Sequence, residues 1–113
     1  MDLKSLIRDV PDYPLDGILF RDLTPLMANP EAMYYVTGEL SDHLRALDTR
    51  AIAAIDSRGF IFGAPVAAML GIPFIPIRKA GKLPPPVIGV EYALEYGNAR
   101  LEISTESVVE GQR

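Results

Sequence analysis

The run Ala51–Ile55 is continuously apolar and stops on Asp56-Ser57-Arg58-Gly59. Five apolar residues with no polar neighbour to face water read as a strand buried on both faces, the pattern of a parallel sheet. A helical stretch follows, and then a second apolar run, Pro73–Arg78. Pro65 constrains the helix between them, because in a helix interior it loses its hydrogen bond and clashes with the preceding turn. The helix is therefore expected from near Phe62, with Pro65 in or just after its first turn, to Leu70 before Gly71. Strand, helix and strand in succession make a βαβ unit, whose crossover is right-handed almost without exception.

Around that unit the chain punctuates itself. Asp2 is a candidate cap for a short helix to about Arg8, with Leu3, Ile7 and Val10 on one face. Pro11, Pro14 and Gly17 then impose a turn before the short apolar segment Ile18–Phe20. Asn29 and Pro30 suit the N-cap and first position of a longer helix, along which Val36, Leu40, Leu44 and Leu47 recur at helical spacing. The Tyr34-Tyr35 pair is expected to pack, and His43, without a second ligand at metal spacing, to lie on the helix surface. Ala80–Val90 holds three consecutive prolines and two glycines, which reads as a long exposed loop of the lid kind. Glu91–Tyr96 and Ala99–Ser104 alternate as two hairpin strands around Gly97-Asn98. Glu110–Arg113 reads as a turn leading nowhere.

Composition removes several function classes. At 113 residues with no cysteine, the chain is one domain at most and has neither disulfides nor thiolate metal sites. No apolar run approaches the ~20 residues of a membrane span, and Met1–Val10 lacks a signal peptide's apolar centre. A net charge of −4 argues against general nucleic-acid binding. These features fit a cytoplasmic protein with no membrane partner. A local positive site for a small anion remains open.

Three constellations carry potential chemistry. Asp56-Ser57-Arg58-Gly59 ends a strand where open α/β sheets gather ligands, with free N–H groups, a helix N-terminus and a forked cation together. The alternative is a plain strand-to-helix turn in which Arg58 pairs with Asp56. Arg78-Lys79-Ala80-Gly81-Lys82 sets three cations at the base of the loop, suited to a polyanion or else simply solvated. Glu95-Tyr96-Gly97 offers a carboxylate and a phenol for proton transfer or charge stabilisation. On a strand these neighbours point to opposite faces, and a surface pair is the plainer reading.

Taken together, PDYPLDGILFRDLTPLM (Pro11–Met27), IDSRGFIFGAP (Ile55–Pro65), IRKAGKLP (Ile77–Pro84) and YALEYGNARLEI (Tyr92–Ile103) resemble adenine phosphoribosyltransferases, in order and spacing, from about Val10 to Arg113. The resemblance implies a partial type I phosphoribosyltransferase fold: a single, incomplete α/β domain over 1–113. It would have a mostly parallel sheet flanked by helices, a hairpin, and a flexible lid loop with its first hairpin strand over 80–96. It implies purine salvage, the transfer of a 5-phosphoribosyl group from phosphoribosyl pyrophosphate to adenine, giving AMP and pyrophosphate. Magnesium would be bound mainly through the substrate, and the protein would be a homodimer.

Residue by residue, the resemblance assigns adenine's edge to the backbone of Leu19, Phe20 and Arg21, with Phe20 stacked on the base. A carbonyl would accept from the exocyclic amine and an N–H donate to the adjacent ring nitrogen. Hypoxanthine and guanine invert both groups, and such buried mismatches are costly. Ser57, Arg58 and Gly59 match the pyrophosphate-binding turn, where the family tends to have a non-proline cis peptide. Arg78, Lys79 and Lys82 match the lid's pyrophosphate contacts, some made across a dimer interface. Arg58, Glu95 and Tyr96 match residues at the reacting centre. The family's next strand carries two acidic residues and a threonine- and glycine-rich loop for the donor's ribose phosphate. The chain stops at the turn before it, so little turnover by the chain alone is expected. The alternatives are a non-catalytic nucleobase-binding or dimerisation fragment, or a purine-sensing regulator on the same fold.

Overall fold

A computed structural model describes all residues, Met1–Arg113. The backbone divides into two compact units, Met1–Glu39 and Leu40–Arg113.

The first unit is built on a two-stranded antiparallel ribbon, β1 (Arg8–Pro11) and β2 (Leu19–Asp22). Asp2 does cap a turn, its Oδ1 accepting from Ser5 N at 3.4 Å. The expected helix to Arg8 is only the 3-10 turn Lys4–Leu6, however, because Ile7 is already extended and Arg8 pairs with Asp22. So short a helix is marginal in isolation, and the ribbon takes its last residues. Opposite charges face each other at two positions, Arg8–Asp22 at 3.0 Å and Arg21–Asp9 at 2.6 Å, which fixes the register. The turn closes through Gly17 N to Asp12 Oδ1 (2.9 Å) and Tyr13 N to Ile18 O (3.2 Å).

One helical turn, α1 (Thr24–Met27), follows β2. The longer α2 (Pro30–Ala46) begins as its sequence suggests, with Asn29 Oδ1 accepting from Ala32 N at 3.0 Å. Its expected apolar stripe needs correction. Leu40 and Leu47 are exposed, while small residues, Ala32, Thr37 and Ser41, are buried. The tyrosine pair does not pack as expected either: Tyr34 is 76% exposed. His43 is at the surface, as expected.

The second unit carries β3 (Ile52–Ile55), α3 (Arg58–Leu70), β4 (Phe74–Lys79), β5 (Val87–Ala93) and β6 (Asn98–Ser104) in a four-stranded sheet of order β3-β4-β6-β5. The class is α/β. The sheet is mixed, with the parallel pairing confined to β3–β4 and the remaining pairs antiparallel. β3 is not buried on both faces. It is an edge strand whose Ile52 packs with Val66 and Ala67 of α3, while Ala53 and Ile55 face solvent.

α3 starts at Arg58, four residues before the expected Phe62, and holds Pro65 in its interior. The absent N–H and the ring clash cost ~3 kcal/mol. Burial of the adjacent Val66 and Ala67 against Ile52, with Leu44, Leu70, Ile72 and Phe74 around them, offsets that loss. Two glycines let α3 approach closely: a Cβ on Gly63 would lie 2.9 Å from the Ala54 Cβ and 3.0 Å from Phe74 Cε2. Gly71 ends the helix in the left-handed conformation at φ 67°, as expected.

The long exposed loop contracts to 80–86, because Val87–Ala93 pairs fully with β6. β5 and β6 form the expected hairpin, closed by Leu94 N to Gly97 O at 2.9 Å, so Glu95 and Tyr96 lie in the turn and not on a strand. The terminal turn does lead somewhere: Arg113 O accepts from Arg50 N (2.6 Å) and Ala51 N (3.1 Å) at the start of β3.

Candidate active site

In the first unit, Leu19, Phe20 and Arg21 form most of β2. Residues two apart on a strand direct their main-chain polar groups to the same edge, so the Leu19 carbonyl and the Arg21 N–H share one. β2 has a strand partner on one edge only. Pro11, opposite Leu19, has no N–H to give. Outside the strand pairing, no main-chain hydrogen bond engages Leu19–Arg21. The side chain of Phe20 meets Tyr13 edge-to-face, with ring centroids 5.3 Å apart, and lines a hollow with Arg8, Val10 and Thr24. Phe20 is half-buried, so part of its ring is open to a ligand.

Asp22, which the sequence did not mark, holds this strand in place. Its Oδ1 accepts from Thr24 N (2.9 Å) and Thr24 Oγ1 (2.7 Å), and its Oδ2 from Arg8 Nη2 (3.0 Å) and Nε (3.2 Å). The Thr24 hydrogen bonds, more than the Arg8 guanidinium, hold its carboxyl below the ordinary aspartate range. An Asp two residues before a Thr at a helix start was the available signal.

In the second unit, Ser57 caps α3 without a side-chain hydrogen bond and Arg58 opens the helix. The N–H groups of Ser57, Arg58 and Gly59 have no hydrogen-bond partner, so three donors and a helix N-terminus point outward at one place. The Asp56–Ser57 peptide is cis, the trait the resemblance implies for this turn. Arg58 is exposed and makes no ion pair. Asp56 pairs instead with Arg78, Nε to Oδ2 at 2.9 Å, so the alternative in which Arg58 pairs with Asp56 is not what the fold adopts.

That ion pair joins two of the sequence's constellations. Arg78 also donates from Nη1 to the Lys82 carbonyl at 3.4 Å. The turn itself is closed by Lys82 N to Lys79 O (3.2 Å) and Ala80 N to Arg100 O (3.0 Å). Lys79 and Lys82 are exposed, and neither ammonium has a carboxylate partner. Arg78 is thus a half-buried strut, while the two lysines and Arg58 are available cations.

Glu95 and Tyr96 are not brought to these turns. They sit at the free end of the hairpin, with Tyr96 88% exposed. Lys79 pairs with Leu101, and the hairpin runs on to the Ala93–Asn98 pair, about 10 Å further along at ordinary strand rise.

Glu102 was also missed. It is buried on β6, where Oε1 accepts from Gly81 N (3.1 Å) and Oε2 from Arg100 Nε (3.0 Å). The Arg100 bond first, and then the Gly81 N–H, hold its carboxyl below the ordinary glutamate range. Alternation along LEI puts Glu102 on the face opposite Leu101 and Ile103 and reads as a solvent-facing carboxylate, so nothing in the pattern marks its burial or its partner across the turn.

The second unit is of the α/β class, with a strand, a cation-bearing turn and a helix N-terminus together at the carboxyl end of a sheet, the place where such sheets gather ligands. No family model matches the chain. It is 54% identical over 112 residues to the adenine phosphoribosyltransferase of Novosphingobium aromaticivorans, covering 99% of this chain and 63% of that protein. Among solved structures, the adenine phosphoribosyltransferase of Thermoanaerobacter pseudethanolicus superposes with a TM-score of 0.91 at 46% identity, over 99% of this chain and 65% of the other. That of Saccharomyces cerevisiae, complexed with an imino-altritol bisphosphate and adenine, gives 0.92 at 35% identity, over 98% and 65%. The fold is that of the type I phosphoribosyltransferases. The chain belongs to the adenine phosphoribosyltransferase family and spans a little under two thirds of these relatives' length.

Proposed function

We propose that the chain serves purine salvage, carrying base-recognising and leaving-group-binding parts of the transfer of a 5-phosphoribosyl group from phosphoribosyl pyrophosphate to adenine. The observation that carries this is the Asp56–Arg78 ion pair at 2.9 Å, which braces the Ser57–Gly59 turn against the Lys79–Lys82 turn. Two clusters of unpartnered donors and cations on one frame suit a multiply charged diphosphate.

Transfer at the anomeric carbon passes through a cation-like sugar with departing pyrophosphate. The task is therefore electrostatic: neutralise the leaving group, hold the base in line and keep water out. Arg58, Lys79 and Lys82 meet the pyrophosphate oxygens, with the free N–H groups of Ser57, Arg58 and Gly59, while Arg78 braces the two turns through Nε and Nη1 and keeps Nη2 for the same anion. The Leu19 carbonyl accepts from adenine's amine, the Arg21 N–H donates to the ring nitrogen beside it, and Phe20 stacks on the base. Glu95 and Tyr96 act when the hairpin folds over the site. Magnesium would be carried mainly on the donor's oxygens, where it would offset pyrophosphate charge. In a homodimer, the exposed lysines of one subunit also serve the other's site.

Calorimetry on the 113-residue chain tests this through binding. Adenine is expected to bind at least about a hundredfold tighter than hypoxanthine, because the latter leaves buried donors and acceptors mismatched. Arg58→Ala is expected to weaken pyrophosphate roughly 10- to 100-fold, the loss of charge-assisted hydrogen bonds, and to leave adenine unaffected. Equal affinity for the two purines overturns the base assignment. Adenine binding with no pyrophosphate binding favours the non-catalytic nucleobase-binding alternative.

A further inference from the structure

We propose that Glu102 is a positioning residue that holds the Lys79–Lys82 turn in the shape that presents both lysines to the anion; this rests on the proposed pyrophosphate role of that turn. Glu102 lies mid-strand on β6, opposite Arg78 of β4 on one side and Gly89 of β5 on the other. Its side chain is 11% exposed, so the two hydrogen bonds it accepts are not exchanged freely for water. One comes from the Gly81 N–H at 3.1 Å, between the two lysines in sequence, and the other from Arg100 Nε at 3.0 Å.

Gly81 has φ 84°, a conformation that the turn requires and that only glycine adopts without strain. A glycine turn has little stiffness of its own, so its geometry depends on external anchors. Ala80 N on the Arg100 carbonyl fixes where the turn begins, Arg78 holds the Lys82 carbonyl, and Glu102 holds the glycine between them through the Gly81 N–H. The sequence makes room for the Glu102 anchor at Gly89. A Cβ there would lie 2.6 Å from the Leu101 carbonyl, 2.8 Å from Arg100 Nε and 2.9 Å from Arg100 Cζ. Any larger residue at 89 would displace the guanidinium that orients Glu102. Gly89, Arg100, Glu102 and Gly81 thus form one chain of contacts from the hairpin to the turn.

The test compares Glu102→Ala and Glu102→Gln with the wild-type chain, reading Gly81 amide hydrogen exchange, pyrophosphate affinity and adenine affinity. In Glu102→Ala, Gly81 exchange is expected to accelerate and pyrophosphate affinity to fall about tenfold, the cost of ordering a released loop, with adenine affinity unchanged. Glu102→Gln keeps one acceptor for two donors and is expected to fall between wild type and Ala in both readouts. Equal losses of adenine and pyrophosphate affinity would show a general structural role and overturn the proposal, as would wild-type Gly81 exchange in Glu102→Ala. Should Glu102→Ala fail to fold, the comparison of Glu102→Gln with wild type decides on the same terms. If wild-type pyrophosphate affinity proved indifferent to Lys79→Ala and Lys82→Ala, the role of the turn would fall, while Gly81 exchange would still report whether Glu102 anchors it.

Discussion

Asp22 and Glu102 are the two carboxylates the fold buries, and both hold main-chain segments that the proposed chemistry uses. Each binds a backbone N–H on one side and an arginine on the other. Their carboxyls lie below the ordinary values of 3.8 and 4.5 respectively. A depressed carboxylate contributes stability that is fully present above its unfolded value and is lost as pH falls through its folded one. The urea midpoint is therefore expected to be flat above about pH 5 and to drop below about pH 4, and the drop should shrink in Asp22→Asn and Glu102→Gln. An unchanged acid limb in both variants would show that other groups set it. Ser41 presents the opposite case, since its buried Oγ has no hydrogen-bond partner. Ser41→Ala is expected to leave stability unchanged or to raise it by up to ~1 kcal/mol, measured by urea denaturation.

At the scale of elements, α3 against β3 and β4 is the contact on which the second unit depends. The glycines of RGFIFG make that contact close, so Gly63→Ala is expected to destabilise by ~1–3 kcal/mol through overpacking against Ala54 and Phe74; a neutral effect in denaturation would show that α3 can shift freely. The same helix shows how far sequence patterns reach. Its end at Gly71, the cap at Asn29 and the hairpin around Gly97 were legible because each is local chemistry. Its start was not, because the rule against interior proline was overridden by burial of Val66 and Ala67. β1 was missed because four residues stabilised by cross-strand ion pairs leave no periodic trace. At the site, resemblance named the cations and the β2 backbone, but no pattern in one strand could show that Arg78 would pair with Asp56 or that Glu102 would reach Gly81.

At the scale of the whole molecule, the sheet's second face is left largely open. Ile55, Ile77, Ile88, Val90, Leu101 and Ile103 line one apolar hollow on it, and Ile88 and Val90 are 58% and 71% exposed. Contiguous apolar surface of this kind, next to an edge strand with few partners, favours association. The chain is expected to sediment as more than a monomer at micromolar concentration, and Ile88→Glu with Val90→Lys to shift it toward monomer. A wild-type chain that is monomeric throughout would contradict this. In the proposed reaction the turns at Ser57–Gly59 and Lys79–Lys82 bind one diphosphate together. The amide spectrum of the nitrogen-labelled chain, titrated with pyrophosphate, tests this. Shifts at both turns that saturate with a single dissociation constant are the result expected, and shifts at one turn alone, or at neither, would contradict it.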